Sequence, residues 1–201
     1  MDSPMHDTNA LRRTVLLVAI LNLAYFGVEF VVAQVIGSVS LFADSVDFLE
    51  DASINLLIFF AAVWSARRRS YVGSVLAIVI LIPALATLWT AVMKIVDPVP
   101  PEPLPLSLTA MGALLVNLAC ALLLMRHRDH PGSLAKAAWL SARNDVLADA
   151  AIIVVAVLTV WFPTAWIDVV AGLGIGVLNA DAARTVWMGA RDERRRLEPE
   201  A

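Results

Sequence analysis

The sequence predicts an all-α membrane protein with six transmembrane helices. Three features support this prediction: a high apolar content, six separate apolar runs and a one-sided distribution of basic residues. Of the 201 residues, 60% are hydrophobic and 16% are charged, whereas soluble domains average about 45–50% and about 25%. The mean hydropathy is +0.77. We therefore expect a chain that resides in a lipid bilayer.

The six apolar runs each exceed the roughly 20 residues that a helix needs to cross about 30 Å of hydrocarbon. The predicted spans are residues 14–36, 40–66, 71–96, 106–125, 133–162 and 166–188. Residues 1–13 form an N-terminal tail, whose polar part up to Asn9 is expected to be disordered, and residues 189–201 form a short C-terminal tail. One six-helix transmembrane domain, residues 14–188, is therefore expected between two tails.

The connections between the spans carry turn signals. Gly37 and Ser38 predict a very short turn between the first two spans. The stretch 97–105 is dense in proline, which cannot continue a helix, and it is expected to separate the third and fourth spans.

The basic residues set the predicted orientation. The clusters at residues 12–13, 67–69, 126–128 and 191–196 all fall on one side of the membrane, and the three opposite turns contain neither Lys nor Arg. The positive-inside rule then places both termini in the cytoplasm of a multi-pass protein of the cell (inner) membrane.

Charge and cysteine content exclude several functions. The net charge is −3 and the basic residues mark membrane boundaries, so no nucleic-acid partner is expected. The single cysteine, Cys120, excludes an intrachain disulfide and a C-x-x-C metal cluster.

Acidic residues interrupt two of the apolar runs. In the second span Asp44, Asp47 and Asp51 fall within one sector of a helix, with Glu50 at its edge. In the fifth span Asp145 and Asp149 are four residues apart and share a face.

These acids are expected to meet, because the second span runs inward and the fifth runs outward. At 1.5 Å per residue, Asp47 and Asp51 lie roughly 10 and 16 Å from the outer end, and Asp145 and Asp149 roughly 25 and 20 Å. One charged Asp at a helix centre costs about 2.5–3.5 kcal/mol on insertion scales. A positive partner is therefore required among the four.

A divalent cation would meet this requirement, since tetrahedral coordination takes four ligands and Asp oxygens bind zinc at about 2.0–2.2 Å. Protons would compete with the metal for the same oxygens. The alternative is that the acids pair with Arg143, Lys136 or backbone groups and specify helix packing. We expect Arg143 to pair with Glu29 or Glu50.

The motifs resemble the cation diffusion facilitator family. The resemblance rests on residues 37–51 in the second span, 144–149 in the fifth, Asn117 in the fourth and 166–168 at the start of the sixth, and it covers nearly the whole chain. It implies a cation-efflux-type helix bundle, a transport site at Asp47, Asp51, Asp145 and Asp149, export of a divalent metal by proton antiport and alternating access, and a homodimer. Asp168 is expected to cap the sixth span.

The chain departs from this family in three respects. The loop at residues 67–70 offers no metal ligands, so no second metal site is expected there. The first position of each acidic pair is Asp where zinc exporters often have His, and the usual cytoplasmic dimerising domain is missing, so we expect a short form of the family. Zinc is the first candidate metal, and manganese, iron, cobalt and cadmium are the others, because all-oxygen sites suit harder ions. No resident cofactor is expected.

The predicted function is therefore metal transport, not enzyme catalysis. One alternative is an intramembrane aspartyl protease, which would also place acids on two facing helices, although no G-x-G-D stretch frames any of them here. The other is a proton-coupled exporter of small molecules that needs no metal.

Overall fold

The computed structural model describes residues 4–61, 66–126, 133–178, 184 and 188. This part of the chain forms helices without any strand, which confirms the predicted all-α fold. The helices are α1 (Pro4–Ile36), α2 (Val39–Ala61), α3 (Ala66–Val96), α4 (Pro103–Met125) and α5 (Ser133–Trp161), followed by α6 (Ala165–Leu178).

Helix α1 begins well before the predicted span. It starts at Pro4, so the expectation of disorder up to Asn9 is wrong for residues 4–9. Proline suits the first helical position, because the N–H that proline lacks would have no intrahelical partner there. The long apolar segment that follows stabilises the helix, and each further residue adds one hydrogen bond.

The predicted turn between α1 and α2 is present. Gly37 has a φ of 63°, and the N–H of Ser38 donates to the carbonyl of Ala33 at 3.0 Å. This is the glycine-terminated end of a helix, in which a left-handed residue lets the chain satisfy the last carbonyls. Ser38 also begins α2, because its Oγ accepts from the N–H of Leu41 at 3.1 Å.

Helix α4 starts inside the proline-rich stretch, earlier than the predicted residue 106. Glu102 precedes the helix with an extended backbone, and Pro103 opens it. Proline interrupts a helix only where its nitrogen would have to donate, and the first turn makes no such demand. The stretch therefore ends α3 and also begins α4.

Helices α1, α2, α4 and α5 build the core of the bundle. Helix α1 packs on α2 and α4, and α5 packs on α4 and α2, while α3 packs on α2. Helix α6 approaches α2 closely at Gly172, where an added Cβ would lie 2.6 Å from the carbonyl carbon of Val39. Only a glycine permits this approach without a backbone shift.

The outer faces of the helices are apolar. Large hydrophobic side chains such as Val35, Leu108, Trp161 and Val170 are exposed on the described surface, as expected for faces that contact lipid. Three of the described helical segments are long and apolar enough to cross a membrane: Asn9–Ile36, Pro103–Met125 and Ala142–Trp161. Two shorter apolar segments, Leu85–Val96 and Ala165–Leu178, accompany them. The chain is thus a multi-pass membrane protein.

Candidate metal centre

Two apolar clusters divide the bundle along its length. The upper cluster lies towards the α1–α2 turn, and its buried members are Ala33, Leu41, Phe42, Ala43, Val46, Leu106, Ala110, Ile152, Val155, Ala156 and Ile175. The lower cluster lies towards the start of α1, and its buried members are Val15, Val18, Cys120, Ala121, Leu124, Ala138 and Ala142.

A polar layer separates the two clusters. On α1, Val18 belongs to the lower cluster and Ala33 to the upper, with Asn22 and Glu29 between them. The same order holds on α4, where Asn117 lies between Ala110 and Cys120, and on α5, where both aspartates lie between Ala142 and Ile152. On α2, Asp47, Glu50 and Asp51 follow Val46, the last buried residue that this helix gives to the upper cluster, whereas Asp44 lies beside that cluster. The layer consists of Asn22, Glu29, Asp44, Asp47, Glu50, Asp51, Asn117, Asp145 and Asp149.

Helix α2 supplies four acids to the polar layer. Asp44, Glu50 and Asp51 are buried, and Asp47 is partly exposed. The predicted spacing holds, because an unbroken helix from Val39 to Ala61 carries all of them. Nearly every α2 residue up to Asn55 is buried or half-buried, so α2 is the central helix of the bundle.

Helix α5 brings its two acids to the same layer in antiparallel order. Asp145 interacts electrostatically with Asp51 and Asp47, in that order of strength. Asp149, one turn further along, adjoins Asp44. The four aspartates predicted as ligands therefore lie in one layer, with Asp149 fully buried and Asp145 partly exposed.

The four aspartates do not form a closed cage. Within the part of the chain that the structure describes, no three His, Cys, Asp or Glu side chains converge closely enough to hold a metal ion. The main charged neighbours of Asp47 and Asp145 are other carboxyl groups. Carboxylates are hydrogen-bond acceptors only, so the layer can be stabilised by cations or by protons on the carboxyl groups.

Asn117 on α4 supplies a hydrogen-bond donor to this layer. Its Nδ2 donates to Asp149 Oδ2 at 3.0 Å, and both residues are buried. A second asparagine, Asn55 on α2, donates instead to the main-chain carbonyl of Asp51 at 2.8 Å.

Glu29 and Asp44 are not among the ligands predicted from the sequence. Both are fully buried, and their carboxyl groups adjoin each other across the α1–α2 contact. Among the residues that the structure describes, none donates a hydrogen bond to any of their four oxygens. The sequence could have indicated both residues. Asp44 shares a helix face with Asp47, and Glu29 lies at a similar depth on the neighbouring span.

The predicted pairing of Arg143 with Glu29 or Glu50 is wrong. Arg143 is exposed, its guanidinium donates to Asn144 Oδ1 at 3.4 Å, and it lies 5.6 Å from the centre of the Trp139 ring. Arg143 precedes Asp145 by two residues, which is about 200° around a helix. Since Asp145 faces the bundle, Arg143 points away from it.

Asp168 does not cap the sixth span as predicted. It lies within α6 and accepts four hydrogen bonds from the start of α2, donated by Ser38 Oγ at 2.7 Å, Val39 N at 2.7 Å, Ser40 N at 3.1 Å and Ser40 Oγ at 2.6 Å. Helix α2 has no acid in its own first turn. Asp168 supplies the negative charge that a helix N-terminus favours.

The described end of the bundle at the α1–α2 turn contains one further polar link. Lys94 of α3 donates to the carbonyl of Gly37 in the α1–α2 turn, and it interacts electrostatically with Asp168. The start of α2 is therefore held by both α3 and α6.

Comparison with known proteins identifies the family. A family model described as the cation efflux transmembrane domain matches residues 15–190. A search of curated proteins found no significant match. The matched residues include the whole polar layer, and a family of cation transporters favours transport over the protease alternative. Since the match covers most of the chain, the chain belongs to the cation efflux (cation diffusion facilitator) family, whose members transport metal cations across membranes.

Proposed function

We propose that this protein exports a divalent metal cation from the cytoplasm in exchange for protons, with zinc as the first candidate. The observation that supports this proposal is the polar layer, in which acids of α2 and α5 meet at one level of a cation efflux domain. Apolar clusters lie above and below this layer. A cation held there would be separated from water on both sides.

The proposed ligands are Asp47, Asp51, Asp145 and Asp149. Four carboxylate oxygens can form the tetrahedral coordination that zinc prefers. Asp47 and Asp145 are the partly exposed pair, so their side chains have the freedom to turn towards a bound ion. Manganese, iron, cobalt and cadmium remain the other candidates, because oxygen ligands suit harder ions as well.

Protons provide the proposed driving force. A metal binds only to deprotonated carboxylates, so each binding event displaces protons from the layer. Release of the metal on the other side lets protons bind again. The same four side chains then carry both ions in opposite directions.

Alternating access requires that only one of the two apolar clusters opens at a time. We propose that the lower cluster opens to the cytoplasm, where both termini lie, and that the upper cluster opens to the outside of the cell membrane. A homodimer is the proposed assembly.

Metal uptake into proteoliposomes tests the function. Purified protein is reconstituted, and uptake of Zn²⁺, Mn²⁺, Fe²⁺, Co²⁺ and Cd²⁺ is measured in parallel, with and without an imposed pH gradient. We expect uptake that follows the gradient and collapses with a protonophore. Liposomes with Ser107→Ala protein are a matched control, because within the described residues the Ser107 hydroxyl bonds only the exposed carbonyl of Leu104. Uptake of no metal, or uptake indifferent to the gradient, would contradict the proposal.

A further inference from the structure

The bond from Asn117 to Asp149 makes the two oxygens of that carboxylate unequal. Oδ2 accepts from the Asn117 amide at 3.0 Å, whereas Oδ1 is buried and receives no hydrogen bond from the described part of the chain. Asn117 is 2% exposed and Asp149 0%, so water does not substitute for the amide. Oδ1 is therefore the oxygen of Asp149 whose lone pairs are available to bind a cation.

Packing alone does not account for an asparagine at this position. Helices α4 and α5 both contribute to the apolar clusters on either side of it. Leu106 and Ile152 belong to the upper cluster, and Cys120 and Ala142 belong to the lower. A buried amide brings a desolvation cost that an apolar side chain of similar volume avoids. The hydrogen bond to Asp149 is the interaction that the amide makes and that an apolar side chain could not make.

From these observations we infer that Asn117 is a positioning residue that holds Asp149 as a single-oxygen ligand and so favours four-coordinate over six-coordinate cations. The inference rests on the proposed function, because it takes Asp149 as a ligand. An N–H bound to Oδ2 orients the carboxylate and disfavours chelation by both oxygens. Four aspartates that each give one oxygen form a four-coordinate site.

Coordination number distinguishes the candidate metals. Zinc readily accepts four ligands in a tetrahedron, whereas manganese prefers octahedral oxygen coordination. A site of four aspartates could supply six oxygen ligands if some carboxylates chelated the metal or if water molecules were added. Asn117 opposes the first route by occupying Oδ2, and it therefore favours Zn²⁺ over Mn²⁺.

The test replaces Asn117 in two ways. Asn117→Leu keeps a similar volume and removes the donor, while Asn117→Asp keeps the shape and puts an acceptor in the donor's place. Thr159→Val is the matched control, because it also removes a buried side-chain hydrogen bond, but one made to the main-chain carbonyl of Val155, which is not a proposed ligand. Each variant is reconstituted, and Zn²⁺ and Mn²⁺ uptake are measured as KM and maximal rate under one pH gradient.

Loss of a partner that orients a metal ligand typically weakens metal binding by about 10–100-fold. We expect Asn117→Leu to raise the KM for Zn²⁺ by about tenfold or more, with a smaller change for Mn²⁺. Asn117→Asp is expected to shift the preference further towards Mn²⁺, because it adds an oxygen. Zinc X-ray absorption should report about four ligands in the wild type and more in Asn117→Leu. Thr159→Val should leave the ratio unchanged.

The outcomes separate this inference from the proposed function. If the wild type takes up none of the five candidate metals, both fail, and if it takes up only metals other than Zn²⁺ and Mn²⁺, the inference alone fails. If the wild type transports metal and both folded Asn117 variants keep the wild-type ratio of Zn²⁺ to Mn²⁺, the inference alone is overturned. Should Asn117→Leu fail to fold, Asn117→Asp decides the question by itself, since an unchanged ratio in that variant excludes the positioning role.

Discussion

Removal of the Asp168 carboxylate provides a quantitative test of the link between α6 and α2. In Asp168→Ala, Val39 N and Ser40 N lose their acceptor. The hydroxyls of Ser38 and Ser40 lose it too, but they lie 3.3 Å apart and either can donate to the other. Two buried main-chain donors then remain unsatisfied. At about 1–3 kcal/mol for each such group, we expect a loss of about 3 kcal/mol of stability.

The single buried cysteine provides the assay. Cys120 is inaccessible in the folded protein, so a thiol-reactive fluorophore reports unfolding as the temperature rises. For a chain of this size, 1 kcal/mol shifts the melting temperature by about 2–4 °C, and Asp168→Ala should melt about 6–12 °C below the wild type. Asp168→Asn, which keeps one acceptor oxygen, should fall between them.

The control for this experiment is Ser107→Ala, which removes an exposed hydroxyl that bonds the Leu104 carbonyl. Its melting temperature should change by less than about 2 °C, as for surface substitutions in general. The reasoning fails if Asp168→Ala melts as close to the wild type as this control does. Asp168 would then be dispensable for the start of α2.

Three further predictions concern transport. Asp51→Ala or Asp149→Ala should abolish metal flux, while the melting temperature holds or rises because repulsion among the acids is relieved; wild-type flux in either variant would contradict the site. Acidifying the side from which metal is loaded should raise the KM for metal, since protons and metal compete for the same oxygens, and flux measured across a pH series checks this. Asp145→His should raise the ratio of Zn²⁺ to Mn²⁺ uptake, because imidazole suits Zn²⁺ better than Mn²⁺; an unchanged ratio with retained flux would exclude Asp145 as a ligand.

The elements that the sequence predicts well are those with local causes. Apolar runs predict the helices, Gly37 predicts the turn, and the spacing of Asp47 and Asp51 predicts their common face. Their antiparallel relation to Asp145 and Asp149 follows from helix direction and depth. The first three depend on residues within a few turns of one another, and the antiparallel relation needs only the alternating direction of successive spans.

The elements that the sequence misses depend on distant partners. Asp168 bonds residues about 130 positions earlier in the chain, and no local pattern distinguishes it from the cap of its own helix. The Arg143 prediction failed for a different reason. It matched charges and ignored helix face, although the two-residue offset from Asp145 already placed the guanidinium on the opposite side.

Helix α2 spans the membrane because of its neighbours. Four acids at about 2.5–3.5 kcal/mol each would oppose insertion of the isolated helix by roughly 10–14 kcal/mol, and α2 is accordingly not among the described segments apolar enough to span alone. In the bundle, α1, α3 and α5 pack around it, and Asp168 of α6 holds its N-terminus. The packing that hides these acids from lipid also removes them from bulk water. Low solvent access strengthens every charge interaction within the layer, and the arrangement that makes α2 tolerable in the membrane is therefore also what makes the layer attractive to cations.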